Sequence, residues 1–130
     1  MKRSLFLCMV VPLYIGFAQE WTWQNPLPTG NTLHCVTSVS EGVCIAVGDA
    51  GTILRSTDDG TSWSIVSQAK FPTLYSVSFV DKLLGIAVGD SGCVVRSTDG
   101  GSTWHALSRT VSTALYTVFF ASSSVCFAAG

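Results

Sequence analysis

Residues 48–63 read Gly48-Asp-Ala-Gly-Thr-Ile-Leu-Arg-Ser-Thr-Asp-Asp-Gly-Thr-Ser-Trp63, and residues 89–104 read Gly89-Asp-Ser-Gly-Cys-Val-Val-Arg-Ser-Thr-Asp-Gly-Gly-Ser-Thr-Trp104. The two stretches agree almost residue for residue at an offset of 41 (89 − 48). An offset sustained over such a length marks an array of similar supersecondary units. Upstream, Leu33-His-Cys-Val-Thr-Ser-Val aligns at the same offset with Leu74-Tyr-Ser-Val-Ser-Phe-Val and again with Leu115-Tyr-Thr-Val-Phe-Phe-Ala. Ile45-Ala-Val-Gly48, Ile86-Ala-Val-Gly89 and Phe127-Ala-Ala-Gly130 continue in register, and the sequence stops at that third glycine.

Within each repeat the apolar runs are short, rich in Val, Ile, Phe and Tyr, and separated by Gly, Asp, Ser and Thr. That pattern predicts strands and tight turns, not helices. Strands are expected at residues 32–38, 43–48, 52–56 and 63–67, with their equivalents one repeat later. A repeat of about four strands forms one blade of a β-propeller, so the fold class is all-β, built of four-stranded antiparallel blades. The blade repeats fall at residues 33–73 and 74–114, with a truncated third at 115–130. Small residues at Ala46-Val-Gly48 and Ala87-Val-Gly89 suit the crowded inner part of a blade. Residues 19–32, carrying Trp21 and Trp23, read as an orphan outer strand that closes the ring by completing a last blade. Two complete blades do not close a ring, so the reading expects this sequence to be the N-terminal part of a longer propeller.

Each full repeat carries Ser-x-Asp-x-Gly-x-x-Trp, as Ser56, Asp58, Gly60 and Trp63 and then as Ser97, Asp99, Gly101 and Trp104. At this spacing the carboxylate accepts backbone N–H groups further along a hairpin turn, the glycine supplies positive φ, and the tryptophan covers the turn. A residue present in every blade serves every blade equally, whereas catalysis needs one site; the expected role is therefore structural.

Residues 1–18 combine a basic start (Lys2, Arg3), an apolar run over residues 5–17 and small residues at Gly16 and Ala18, which is the pattern of a secretory signal peptide. The run, about 13 residues interrupted by Pro12, is too short to span a bilayer. The expected product is secreted or periplasmic, with no membrane insertion after cleavage. The remaining chain has five basic and eight acidic residues, a formal charge of −3 (5 − 8), which argues against nucleic acid as a partner. Its four cysteines (Cys35, Cys44, Cys93, Cys126) lack CxxC spacing and a neighbouring histidine pair, so neither a metal nor any other cofactor is expected. Cys44 and Cys126 stand two repeats apart, too far to bridge. Cys35 and Cys44 fall on adjoining strands, but their counterparts Ser76 and Gly85 need no link, and buried free thiols are expected.

The run Ala46-Val-Gly-Asp-x-Gly-Thr-Ile-Leu-Arg-Ser-Thr-Asp-Asp-Gly-Thr-Ser-Trp63 and its second copy resemble the Asp-box propellers, the group that includes bacterial neuraminidase repeats. The similarity is greatest to the photosystem II assembly and stability factors of plants and cyanobacteria and to their secreted bacterial relatives. It extends over residues 21–130. The resemblance implies a propeller of about seven blades and a non-enzymatic role in binding another protein. It also implies that arginines contribute to that contact, and the matching positions are Arg55 and Arg96. Two readings stand for each arginine: pairing with a partner's carboxylate, or packing along its strand with bonds to nearby carbonyls. Nothing in the sequence points to a photosynthetic host.

The resemblance extends to sialidases, whose chemistry needs an arginine cluster, a tyrosine nucleophile, a supporting glutamate and an acid. The only glutamates are Glu20, beside the cleavage point, and Glu41, in a turn. Tyr75 and Tyr116 share one repeat position with His34, which favours packing at successive blades over a single nucleophile. His105 aligns with Ser64 and has no acid or nucleophile near it in sequence, so a histidine-based triad has no support and no catalytic residue is assigned. The alternatives to a binding module are a glycosidase whose site lies in further blades, and a structural or adhesive exoprotein. A binding role predicts solvent-facing aromatic or arginine side chains gathered on one rim.

Overall fold

A computed structural model describes residues 28–108 and 111–130. The signal-peptide reading and most of the orphan-strand reading, residues 1–27, lie outside the described residues. Residues 28–32 form bends and no strand: Pro28 has no N–H to pair, and the Asn31 N–H bonds back to the Thr29 hydroxyl at 3.1 Å.

The strands are β1 (Leu33–Ser40), β2 (Val43–Gly48), β3 (Ile53–Ser56), β4 (Ser64–Ser67), β5 (Leu74–Phe79), β6 (Gly85–Gly89), β7 (Val94–Ser97), β8 (His105–Ala106), β9 (Thr117–Phe120) and β10 (Cys126–Ala129). They form two antiparallel four-stranded sheets in sequential order, β1-β2-β3-β4 and β5-β6-β7-β8, and a β9-β10 hairpin. Each sheet is a blade. The leading strands β1, β5 and β9 lie side by side, which makes them the inner strands, with β4 and β8 outermost. No helix among the described residues is long and apolar enough to cross a membrane.

The core lies between blades, not within one. Ile45, Val47 and Ile53 of the first blade pack with Leu74, Val77, Ala87, Val95 and Trp104 of the second, all buried. This follows from strand alternation: on β2, Ile45 and Val47 point one way and Ala46 the other, so each sheet has two apolar faces that need neighbours. Phe79 meets Trp104 edge-on, ring centres 5.8 Å apart.

Close approach fixes one glycine in every repeat. A Cβ at Gly48, Gly89 or Gly130 would lie within about 2 Å of the carbonyl oxygen of Thr32, Thr73 or Ala114. The inner strand therefore enters against the end of the second strand, and the Asp49 and Asp90 N–H groups each bond that carbonyl of Thr32 or Thr73 at 2.9 Å.

Cys35 pairs in register with Val47, and Cys44 with Ser38, three rungs away, so no disulfide joins them and both thiols are free. Burial is as expected for Cys93 alone: Cys35 and Cys44 are half-buried, and Cys126, on the exposed strand β10, is exposed.

Candidate functional site at the inner rim

The Ser-x-Asp-x-Gly-x-x-Trp turns join β3 to β4 and β7 to β8. In the first, Asp58 Oδ1 accepts the Ser56 hydroxyl at 2.8 Å and the Ser62 N–H at 2.8 Å, while Oδ2 accepts the Ser62 hydroxyl at 2.6 Å. In the second, Asp99 Oδ1 accepts the Ser97 hydroxyl at 2.9 Å and the Thr103 N–H at 2.9 Å, and Oδ2 accepts the Thr103 hydroxyl at 2.6 Å. Trp63 and Trp104 close the turns by donating Nε1–H to the carbonyls of Gly60 (3.0 Å) and Gly101 (3.1 Å). Gly60 and Gly101 have φ of +82° and +79°.

These bonds hold both carboxylates as anions. Donation by the Thr103 hydroxyl and N–H brings Asp99 down to about 2, and the Ser62 hydroxyl and N–H lower Asp58. In both turns the two carboxylate oxygens are engaged by donors of the same turn, which is how the carboxylate holds the hairpin.

The two arginines part company. Arg55 donates Nε–H to the carbonyl of Gly100 in the second blade at 3.1 Å, whereas Arg96, its repeat equivalent on β7, is exposed. His105 is exposed on β8, in register with Arg96. On the outer side, a cleft of about 240 Å³ lies between β4 and the second turn, lined by Val66, Lys70, Phe71, Trp104 and His105 among others.

The most organised exposed feature is one that periodicity alone had assigned to packing. His34, Tyr75 and Tyr116 form a row along the inner rim, with ring centres 5.3 Å apart between His34 and Tyr75 and 5.1 Å between Tyr75 and Tyr116. They pack on one another, tilted by 55° and 43°, and not into the core. The cause is a bulge. Leu33 pairs with Gly48 and Cys35 with Val47, so His34 is the extra residue; Leu74 pairs with Gly89 and Ser76 with Val88, so Tyr75 is the extra residue one blade on. A bulge redirects its side chain out of the alternating pattern and is a common device beside functional sites. The same bulge brings Leu74 and Val77, three residues apart, into one core, which strict alternation forbids.

Carboxylates flank the row. The turns between the second and third strands, residues Asp49–Gly51 and Asp90–Gly92, share its end of the blades. Asp49 Oδ1 lies 2.7 Å from His34 Nε2, and that bond, chiefly, lowers the Asp49 carboxyl. Partial burial raises the Tyr75 hydroxyl, assisted by the charge of Asp90, the neighbouring Tyr116 and the charge of Asp49. Among the described residues, no group of three or more His, Cys, Asp or Glu side chains converges as metal ligands would.

Bladed antiparallel sheets with self-satisfied turns and an aromatic inner rim define a β-propeller module. More particularly, the chain belongs to the DUF6242 beta propeller domain family, whose model matches residues 14–118. Two solved structures share the fold. One, described as "YCF48 bound to D1 peptide", superposes with a TM-score of 0.68 at 21% identity, covering 78% of this chain and 34% of that one. The other, YCF48 from Cyanidioschyzon merolae, gives 0.65 at 24% identity, with 79% and 32% covered. The chain thus spans about a third of the length of these propellers. No curated protein matches this sequence.

Proposed function

We propose that the chain is an exported, non-enzymatic propeller module that binds a segment of another protein at the inner rim. The observation carrying this reading is the row His34–Tyr75–Tyr116, its first two members set at bulges, which leaves aromatic faces half-buried to exposed beside Asp49 and Asp90. Aromatic rings supply large contact area at low entropic cost, the property that enriches them at recognition surfaces. A propeller of the same fold holds a peptide, as the description "YCF48 bound to D1 peptide" states, and this supports the mode of binding, not the partner's identity. The turns Ser56–Asp58–Gly60–Trp63 and Ser97–Asp99–Gly101–Trp104 are Asp boxes in this reading, with a structural role. Of the two arginines the resemblance pointed to, Arg96 alone is exposed enough to join a partner contact, since Arg55 is engaged between blades.

The test is binding of the secreted chain to an array of unrelated peptides, beside a variant carrying His34→Ala, Tyr75→Ala and Tyr116→Ala. The wild-type chain should retain a subset that the variant loses while its circular dichroism is unchanged. Equal retention by both would place binding elsewhere. Export is checked by N-terminal sequencing of the mature product, expected to begin at Gln19.

A further inference from the structure

This inference rests on the reading of the inner rim as a binding surface and specifies what the rim takes. We infer that the bound protein segment presents a lysine or arginine side chain, seated over the Tyr75 ring between Asp49 and Asp90.

Three observations carry it. First, the bulge turns Tyr75 out of its sheet, and the ring is the middle member of the row, flanked at 5.3 Å and 5.1 Å. An aromatic face attracts a cation within about 6 Å of its centre. Second, carboxylates stand at equivalent turns of successive blades: the Asp49–Gly51 turn packs against β5, the strand of Tyr75, and Asp90 follows Gly89, the register partner of Leu74. The rim is therefore electron-rich from its rings and anionic from its turns, a combination that discriminates cations from neutral and acidic groups.

Third, the two carboxylates differ in what they already hold. Asp49 is bonded by the His34 imidazole, but the residue in that position relative to Asp90 is Tyr75, and Asp90 Oδ1 accepts the N–H of its neighbour Ser91 at 2.8 Å. The described cations lie elsewhere. Arg55 is on the Gly100 carbonyl, Lys70 sits 5.4 Å from the Phe71 ring, Lys82 is beside Asp81, and Arg96 is on β7. Within the first repeat a nitrogen base satisfies the acid; in the second the same place holds an aromatic face, which leaves the cation to be supplied by the partner.

The experiment titrates the whole chain with three synthetic pentapeptides, acetylated and amidated, that differ only in a central lysine, norleucine or glutamate. The Tyr75 ring protons, and in the Tyr75 variants those of the neighbouring Tyr116, are followed by NMR. The lysine peptide should bind roughly tenfold more tightly than the norleucine peptide, which keeps the apolar stem without the charge. Asp90→Asn should remove most of that preference, and Tyr75→Leu should abolish it, while Tyr75→Phe retains it. Norleucine or glutamate peptides binding as tightly as lysine would overturn the cation inference and leave the protein-binding reading standing. Failure of all three to perturb the ring would overturn both.

Discussion

Arg55 on the first blade donates its Nε–H to the main-chain carbonyl of Gly100 on the second, at 3.1 Å, and so ties the third strand of one blade to the turn of the next. Arg96 holds the same repeat position but is exposed. A charged donor on a partly buried carbonyl is worth about 1–2 kcal/mol, whereas an exposed side chain without such a partner is worth less than about 0.5 kcal/mol. Arg55→Met should therefore lower the urea midpoint, and Arg96→Met should leave it nearly unmoved. Equal losses would mean that the arginine matters to its own strand and not to the junction.

Gly60 and Gly101 separate turn strain from packing between blades. Both have positive φ, so an alanine costs about 1 kcal/mol at either from conformation alone. At Gly60 the added Cβ meets Trp63 at an ordinary 3.6 Å, but at Gly101 it meets the Ile45 side chain at 2.4 Å. Gly101→Ala should be the more damaging by about 1–3 kcal/mol. Restoring the room with Ile45→Val in the same chain should recover part of the loss in a double-mutant cycle.

The repeat offset made the blades legible because every level of the sequence agreed: β-branched runs, turn residues and small residues recurred in one register. The turn chemistry of Asp58 and Asp99 was equally legible, since the donors lie within four residues of the acceptor and need no tertiary information. The rim was not. His34 and Tyr75 alternate with apolar neighbours as packing residues do, and only the pairing of Leu33 with Gly48 and of Leu74 with Gly89 exposes the extra residue in each inner strand. The contact of Arg55 with Gly100 was equally hidden, because residues 45 positions apart in sequence meet only through the stacking of blades.

Acid should act through the turn carboxylates. Asp99 sits at about 2 in the folded chain, below the ordinary value of 3.8, so the unfolded state binds its proton first as pH falls. The contribution is fully present above pH 4 or thereabouts and is lost as pH drops towards about 2. Asp99→Asn should lower stability at neutral pH and flatten its dependence on pH across that window. Chemical denaturation of both chains at several pH values measures this; parallel curves would show that the carboxylate charge is not what the turn uses.

The two turn tryptophans should differ in weight. Trp104 is 3% exposed and belongs to the core shared by both blades, while Trp63 is only partly buried. Trp104→Ala should cost about 3–5 kcal/mol, and Trp63→Ala distinctly less, by thermal or urea unfolding. If the ranking reverses, the first turn covers more apolar surface than its exposure indicates.

Because Ile45 reaches its core only when Trp104 and Gly101 arrive, the first sheet depends on chain that is made later. The separation is 59 residues (104 − 45). At a synthesis rate of about 5–20 residues per second, this corresponds to a delay on the order of 3–12 s. Throughout that interval the Ile45 and Val47 face is at most partly covered, first by Leu74 and Val77 and then by Ala87 and Val95, and is open to proteases and to wrong partners. Each added blade shelters the one before it and exposes its own, so the vulnerable surface travels along the growing chain at a constant size.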